Sequence, residues 1–224
     1  MKWIMNRYSH LKGKRVLVTR PKHQAKELIA ELRRAGAKVI HIPLIEIADP
    51  SDKFRSLNRA ISRLDKYDWL IFTSQNAVSK FFQRLSLRGA RRATWQSQFA
   101  AVGPSTAAAL KKHGIRKVIV PRKDNYSADG LIDILKEYDF KGKRILFPSA
   151  KKAKESLPKW LKKQGAKLDK VQAYQTVMSK NIDRPRLKRL VRENKIDTVL
   201  FYSESAERNF RKIVGQQVAQ KKAK

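Results

Sequence analysis

Apolar positions along this chain switch between two spacings. Arg15 to Thr19 and Asp68 to Thr73 run with almost no polar interruption and read as strands covered on both faces. Helical spacing appears in Ala25, Leu28, Ile29 and Leu32 within Gln24–Arg34, in Leu57, Ala60, Ile61 and Leu64, and in Ala77, Val78, Phe81, Phe82 and Leu85. Gly36 is placed to end the first helix, and Val39 to Ile42 follows as a strand. The pattern then predicts a strand at Phe99–Val102, a helix at Gly103–His113 closed by Gly114, a strand at Lys117–Val120, and a helix at Ala128–Tyr138 packing through Leu131, Ile132 and Leu135. The last third predicts strands at Arg144–Phe147, near Leu168–Tyr174 and at Thr198–Tyr202, with helices behind Pro185 and at Ser205–Val214. Pro158 falls inside a further helix and either kinks it or marks its first turn. This β–α alternation argues for parallel sheets with right-handed crossovers.

The elements repeat. Gly13-Lys14-Arg15-Val16-Leu17-Val18 returns as Gly142-Lys143-Arg144-Ile145-Leu146-Phe147, an offset of 142 − 13 = 129. Gly36-Ala37-Lys38 returns at the same offset as Gly165-Ala166-Lys167, and Tyr67 to Ser74 returns as Ile196 to Ser203. A constant offset over separated blocks points to a duplicated structural unit. An equal second copy would reach position 270, so the expectation is that the second copy lacks its last 46 or so positions, the counterpart of Gln96 to Lys141. The consequence would be an N-terminal lobe with an exposed sheet edge and uncovered apolar surface.

At 224 residues the chain can build one large domain or two small ones. It has no cysteine, which excludes disulfides, thiolate nucleophiles and zinc–sulfur sites and fits a cytoplasmic setting. No apolar run approaches the length of a membrane span, and basic Met1–Lys14 lacks a signal peptide's apolar stretch and reads as a short flexible arm. Fifty-two Lys and Arg against 19 Asp and Glu give a net charge of +33, with a denser region from Lys141 to Lys170 and a tail at Lys221, Lys222 and Lys224. That charge is either a solvated basic surface or an attraction for a polyanion, and charge alone does not choose.

Ligands of open parallel sheets bind beyond the carboxyl ends of the strands. There the chain places Thr19-Arg20-Pro21, Thr73-Ser74-Gln75-Asn76, Gly103-Pro104-Ser105-Thr106, Ser127-Ala128-Asp129-Gly130, Pro148-Ser149-Ala150-Lys151 and Tyr202-Ser203-Glu204-Ser205. Hydroxyl residues at such turns serve as helix caps, and free N–H groups of helix N-termini suit carboxylates or phosphates. His10, His23, His41 and His113 show no metal spacing, and no Walker loop, G-x-G-x-x-G or G-x-S-x-G motif occurs.

Leu17-Val18-Thr19-Arg20-Pro21, the Gly36-Ala37 helix end, Pro43-Leu44-Ile45-Glu46-Ile47, Tyr67 to Val78, Ala101-Val102-Gly103-Pro104-Ser105-Thr106-Ala107 and Ala173-Tyr174-Gln175-Thr176 together resemble uroporphyrinogen-III synthase, over about residues 14–214. The resemblance implies an α/β fold of two flavodoxin-like parallel-sheet lobes joined by a two-stranded linker, with the active site between them. The expected division is a basic arm at 1–13, a discontinuous lobe of 14–42 plus 175–224, a second lobe at 46–170, and a linker at 43–50 and 171–179. It further implies a lyase without cofactor or metal. Linear hydroxymethylbilane, an octacarboxylate, would lose its hydroxyl and close to uroporphyrinogen III with inversion of ring D through a spiro intermediate.

On the matching positions, Tyr174 is the candidate to assist hydroxyl departure. Thr19, Arg20, Ser74, Asn76, Thr106 and Ser149 are candidates for carboxylate binding. The implied setting is a cytoplasmic monomer in haem biosynthesis, off the membrane, receiving substrate from hydroxymethylbilane synthase. Two other readings make different predictions. A basic nucleic-acid-binding protein predicts salt-dependent binding, and an inactive truncated homologue predicts neither that nor catalysis.

Overall fold

The computed structural model describes residues 9–88, 96–122 and 125–215. Among these the strands are β1 (Arg15–Val18), β2 (Lys38–His41), β3 (Ile45–Ala48), β4 (Trp69–Phe72), β5 (Gln98–Ala101), β6 (Arg144–Ala150), β7 (Lys167–Met178) and β8 (Thr198–Leu200). The helices are α1 (Lys22–Arg34), α2 (Arg55–Ile61), α3 (Gln75–Leu87), α4 (Pro104–Lys112), α5 (Ala128–Leu135), α6 (Ser156–Lys163), α7 (Arg184–Arg192) and α8 (Glu204–Val214). The chain divides into two units, Met1–Ile47 with Thr176–Lys224, and Ala48–Gln175, so it passes from one to the other twice. The basic tail and the first eight residues lie outside the described residues. The rest of the expected arm is not loose: Ser9–Leu11 forms a 3-10 turn, and Leu11 is buried in one cluster with Val16 and Leu32.

The first unit holds a sheet of order β2-β1-β8, parallel throughout. The five-stranded sheet has the order β3-β7-β6-β4-β5, and its β7–β6, β6–β4 and β4–β5 pairs are parallel. Buried side chains of β1 alternate. Val16 and Val18 join Ala25, Leu28 and Leu32 of α1, whereas Leu17 joins Leu187 and Val191 of α7 and Phe210 and Ile213 of α8. Both faces are covered, hence the unbroken apolar run. In the second unit Trp69, Ile71, Ile145 and Phe147 pack against Leu131 and Leu135 of α5 and Leu157 and Leu161 of α6.

The sequence repeat is a repeat of bonds. Gly36 (φ +83°) and Gly165 (φ +80°) take the left-handed conformation just past α1 and α6, where a Cβ would be strained. Ala37 N–H donates to Leu32 O (3.0 Å) and Gly36 N–H to Arg33 O (2.9 Å); Ala166 to Leu161 (3.2 Å) and Gly165 to Lys162 (3.0 Å) repeat this Schellman closure. Asp197 accepts from the Arg15 N–H (2.7 Å) and Asp68 from the Arg144 N–H (2.8 Å), so each pins the first residue of the neighbouring strand.

Three expectations are corrected. Lys117–Val120 makes only an isolated bridge between Ile119 and Ala100, because Pro121 has no N–H to extend the ladder. Helix α5 stops at Leu135 rather than Tyr138. Pro148-Ser149-Ala150 lies inside β6, and α6 begins only at Ser156, so this segment is no strand-to-helix turn. Pro158 stands in the first turn of α6, where its missing N–H breaks no helical bond.

Candidate functional site

In the second unit, β4 ends at Phe72 and the chain turns at Ser74 into α3. Ser74 is extended (φ −159°, ψ 150°), and its Oγ accepts the Ala77 N–H at 3.2 Å, satisfying one of the free donors of the first turn. The same Oγ lies 3.0 Å from the Tyr174 hydroxyl. Tyr174 is carried by β7 and is 7% exposed. Its main-chain carbonyl accepts from Lys151 N–H (3.0 Å).

The register explains how a residue 100 positions away reaches that turn. Ser149 pairs with Gln172 but Ala150 pairs with Tyr174, so Ala173 is an extra residue on β7. A one-residue slip exchanges the faces of a strand, and a bulge does this locally. The bulge thereby re-aims Tyr174 toward the carboxyl end of β4.

The other expected residues of this unit do not all join the pair. Asn76 is half-buried in the first turn of α3 and has an interaction partner of its own. Thr106 is buried in the first turn of α4, whose N-terminus is capped by Gly103 and opened by Pro104. Ser149 is 1% exposed, and its hydroxyl donates to Ala150 O (3.3 Å) inside the sheet. A group so enclosed and so bonded braces the strand rather than offering a hydroxyl to a ligand.

The first unit has its own constellation at the carboxyl ends of β1 and β8. Thr19 is fully buried, and its hydroxyl donates to Leu200 O (2.8 Å), tying β1 to β8 instead of facing a ligand. The Arg20 guanidinium lies over the Tyr202 ring, with Cζ 4.3 Å from the centroid. Arg20 Nε is the buried side-chain polar atom that lacks a hydrogen-bond partner among the described residues. His41 Nε2 donates to Arg20 O (2.9 Å), which steadies the main chain at this turn. Ser203 repeats Ser74: its Oγ accepts the Ala206 N–H at 3.2 Å to cap α8. Tyr202 is 50% exposed; the sequence places it in a candidate turn without giving it a role, and its counterpart in the repeat is Thr73, which carries no ring.

Chemically, each unit presents a hydroxyl-capped helix N-terminus beside one further polar side chain, a phenol in the second unit and a guanidinium in the first. Both suit the carboxylates of a ligand, and the phenol can also move a proton. Among the described residues no three of His, Asp or Glu cluster as a metal site would require, and no helix is long and apolar enough to cross a membrane.

Comparison with known proteins gives one consistent result. The family model described as uroporphyrinogen-III synthase HemD matches residues 26–224. The uroporphyrinogen-III synthase of Synechococcus elongatus is 33% identical over 202 residues, covering 88% of this chain and 74% of that protein. The one from Chlorobaculum parvum is 29% identical over 204 residues, 90% and 80% of the two chains. Among solved structures, a mutant uroporphyrinogen III synthase from Thermus thermophilus shares the fold with a TM-score of 0.66 at 16% identity, over 95% of this chain and 83% of that one. With the α/β parallel sheets matched in structure and nearly the whole length matched in sequence, the chain belongs to the uroporphyrinogen-III synthase family.

Proposed function

We propose that this chain acts as a uroporphyrinogen-III synthase, a lyase of tetrapyrrole biosynthesis, and that Tyr174 is the group that assists the chemistry. Linear hydroxymethylbilane loses its hydroxyl as water. The methylene carbon so freed is attacked by ring D at the ring carbon that already bears its link to the chain, which gives the spiro intermediate. That older link then breaks and re-forms at the free position of ring D with loss of a proton, leaving ring D inverted in the closed macrocycle. The proton needed by the departing hydroxyl comes from the Tyr174 phenol. Ser74 supports this assignment: its Oγ already accepts from the Ala77 N–H, so its own proton is free to go to the Tyr174 oxygen. That leaves the phenol proton for the substrate and steadies the oxygen once the proton has moved.

The substrate ionises readily, so holding it in the closing geometry does most of the work. The carboxylates are met by the N-termini of α3 and α4, near Asn76 and Thr106, and in the first unit by Arg20 with the N-terminus of α8. Arg20 Nε supports that role because a buried guanidinium nitrogen without a partner gains a charge-assisted bond from a carboxylate. Thr19 and Ser149 enter as braces of β1 and β6. The two crossings between the units, near Ile47 and Gln175, support two lobes joined by a two-stranded linker. The reaction needs no cofactor or metal in this reading, and the substrate arrives from hydroxymethylbilane synthase.

The observation that carries the reading is the Ser74–Tyr174 hydrogen bond at the carboxyl end of the β4 strand. The test is single-turnover conversion of freshly generated hydroxymethylbilane with the type I and type III isomers resolved. Type III product is expected; only the spontaneous type I isomer from folded protein would overturn the reading.

A further inference from the structure

Helix α7 has two unlike faces. Leu187 and Val191 are buried in the first unit's core, with Leu190 packed against it. Arg184, Arg186, Lys188, Arg189 and Arg192 are all exposed. At 100° per residue Arg186, Lys188, Arg189 and Arg192 fan over the side away from Leu187, whereas Arg184, three residues before Leu187, stands at the edge of the inner side. The carboxylates at the two ends of the helix are already engaged. Asp183 accepts the Arg186 N–H (3.0 Å) as the N-cap, and Glu193 is paired with Lys195 (2.8 Å), which together with the neighbouring arginines holds its carboxyl below the usual range. Arg186, Lys188, Arg189 and Arg192 have no ion pair within 4.0 Å among the described residues. The cations thus stand on one helix with no carboxylate paired to them at contact distance among the described residues, in a chain of net charge +33.

We propose that the outer face of α7 is a binding surface for the phosphate backbone of double-stranded nucleic acid. From Arg186 to Arg192 the row is about 9 Å long. A duplex carries one negative charge per about 1.7 Å of axis, so about five phosphate charges lie along that length against the four cations. Three features of the face select the partner. Residues 184–192 include no aromatic side chain, so the helix supplies no stacking platform of the kind that single strands require. The apolar side of the helix is committed to the core, so the helix cannot lay that side into a lipid surface. Three of the four cations carry the planar guanidinium that grips phosphate oxygens in pairs. The binding is to the backbone and therefore independent of sequence. Its residues are none of those at the turns of Ser74, Tyr174 and Arg20.

The experiment is fluorescence anisotropy of the full chain with a labelled duplex of about 20 base pairs, as DNA and as RNA, over a series of salt concentrations. Two double variants with the same loss of charge are compared: Arg189→Gln/Arg192→Gln on α7 and Lys159→Gln/Lys163→Gln on α6, all four positions exposed. Circular dichroism establishes that both are folded. Losing two phosphate contacts should weaken duplex binding about tenfold or more near 100 mM salt and lower the salt slope by about 1.8, while the α6 variant stays within about threefold of the parent. Equal losses in the two variants would mean diffuse charge and overturn the assignment to α7. Tighter binding to a single strand of the same length, or vesicle binding by phosphatidylserine that exceeds duplex binding and is lost in the α7 variant, would overturn the duplex as partner. A DNA signal and an RNA signal both support it, and their ratio tells which duplex is preferred.

Discussion

Replacing Tyr174 by Phe removes one oxygen, and catalysis and stability are expected to answer very differently. The lost hydroxyl is bonded to Ser74 Oγ at 3.0 Å, and that oxygen keeps its bond from the Ala77 N–H. A single part-buried hydrogen bond of this kind is worth about 1 kcal/mol net, so Tm should fall by about 2–4 °C for a chain of this size. If the phenol supplies the proton for hydroxyl departure, the loss is that of a general acid, about 10²-fold or more, or at least about 2.7 kcal/mol of barrier. The assay is single-turnover formation of uroporphyrinogen III beside a thermal melt. Ser74→Ala should also slow the step, by about tenfold, and cost about 1 kcal/mol as a lost cap. Because Ser74 is argued to act through Tyr174, the double variant should be no slower than Tyr174→Phe alone. A rate within about threefold of the parent in Tyr174→Phe, together with the expected drop in Tm, would refute the catalytic role and leave the pair as a strut between β7 and α3.

Four further outcomes follow from the geometry. A Cβ on Gly130 would stand 2.0 Å from Asn125 O, so Gly130→Ala should destabilise by about 2 kcal/mol or more in chemical denaturation, although α5 itself gains propensity. Asn209 is 9% exposed and donates to Leu44 O (2.9 Å), which also accepts the Ser179 N–H (3.3 Å), so Asn209→Ala leaves that carbonyl one bond and should cost about 1 kcal/mol, read from the denaturation midpoint. Asp197 is held well below the ordinary carboxylate range by the Arg15 side chain and N–H. Its contribution is therefore complete above about pH 4 and lost as pH falls further; Tm curves of the parent and of Asp197→Asn should converge in acid, and curves that stay parallel there would contradict the assignment. Tyr67 is pushed above its usual range by burial and by its bond to Asp169 (2.5 Å), so its contribution is complete below about pH 10 and lost on going more alkaline. A Tyr67→Phe chain should lack that alkaline decline.

Much of the fold is legible because it is written at short range. Apolar runs mark strands, spacing of three and four marks helices, and Gly36 and Gly165 mark helix ends whose left-handed φ a glycine tolerates. The 129-residue offset even anticipates paired bonds, since Asp68 and Asp197, or Ser74 and Ser203, do the same work in each copy. The same local logic fails at Lys117–Val120, whose β-branched run reads as a strand although Pro121 stops the pairing. It fails again at Pro148–Ala150, where a proline and a serine imitate a turn inside a strand.

What the sequence by itself determined is therefore the set of elements, the duplication, and the residue types gathered at the strand ends. Only the tertiary structure decided which of those residues can act. Tyr174 meets Ser74 because one extra residue in β7 shifts the register, and a register shift depends on pairing with β6, not on the residues near Tyr174 alone. Thr19 turns inward because Leu200, 181 residues away, offers its carbonyl across a parallel pair. Arg20 is aimed by the ring of Tyr202, two residues past the end of β8. Each outcome is set by a contact whose two halves lie far apart in the chain, and local pattern carries no information about such a pair until the sheets form.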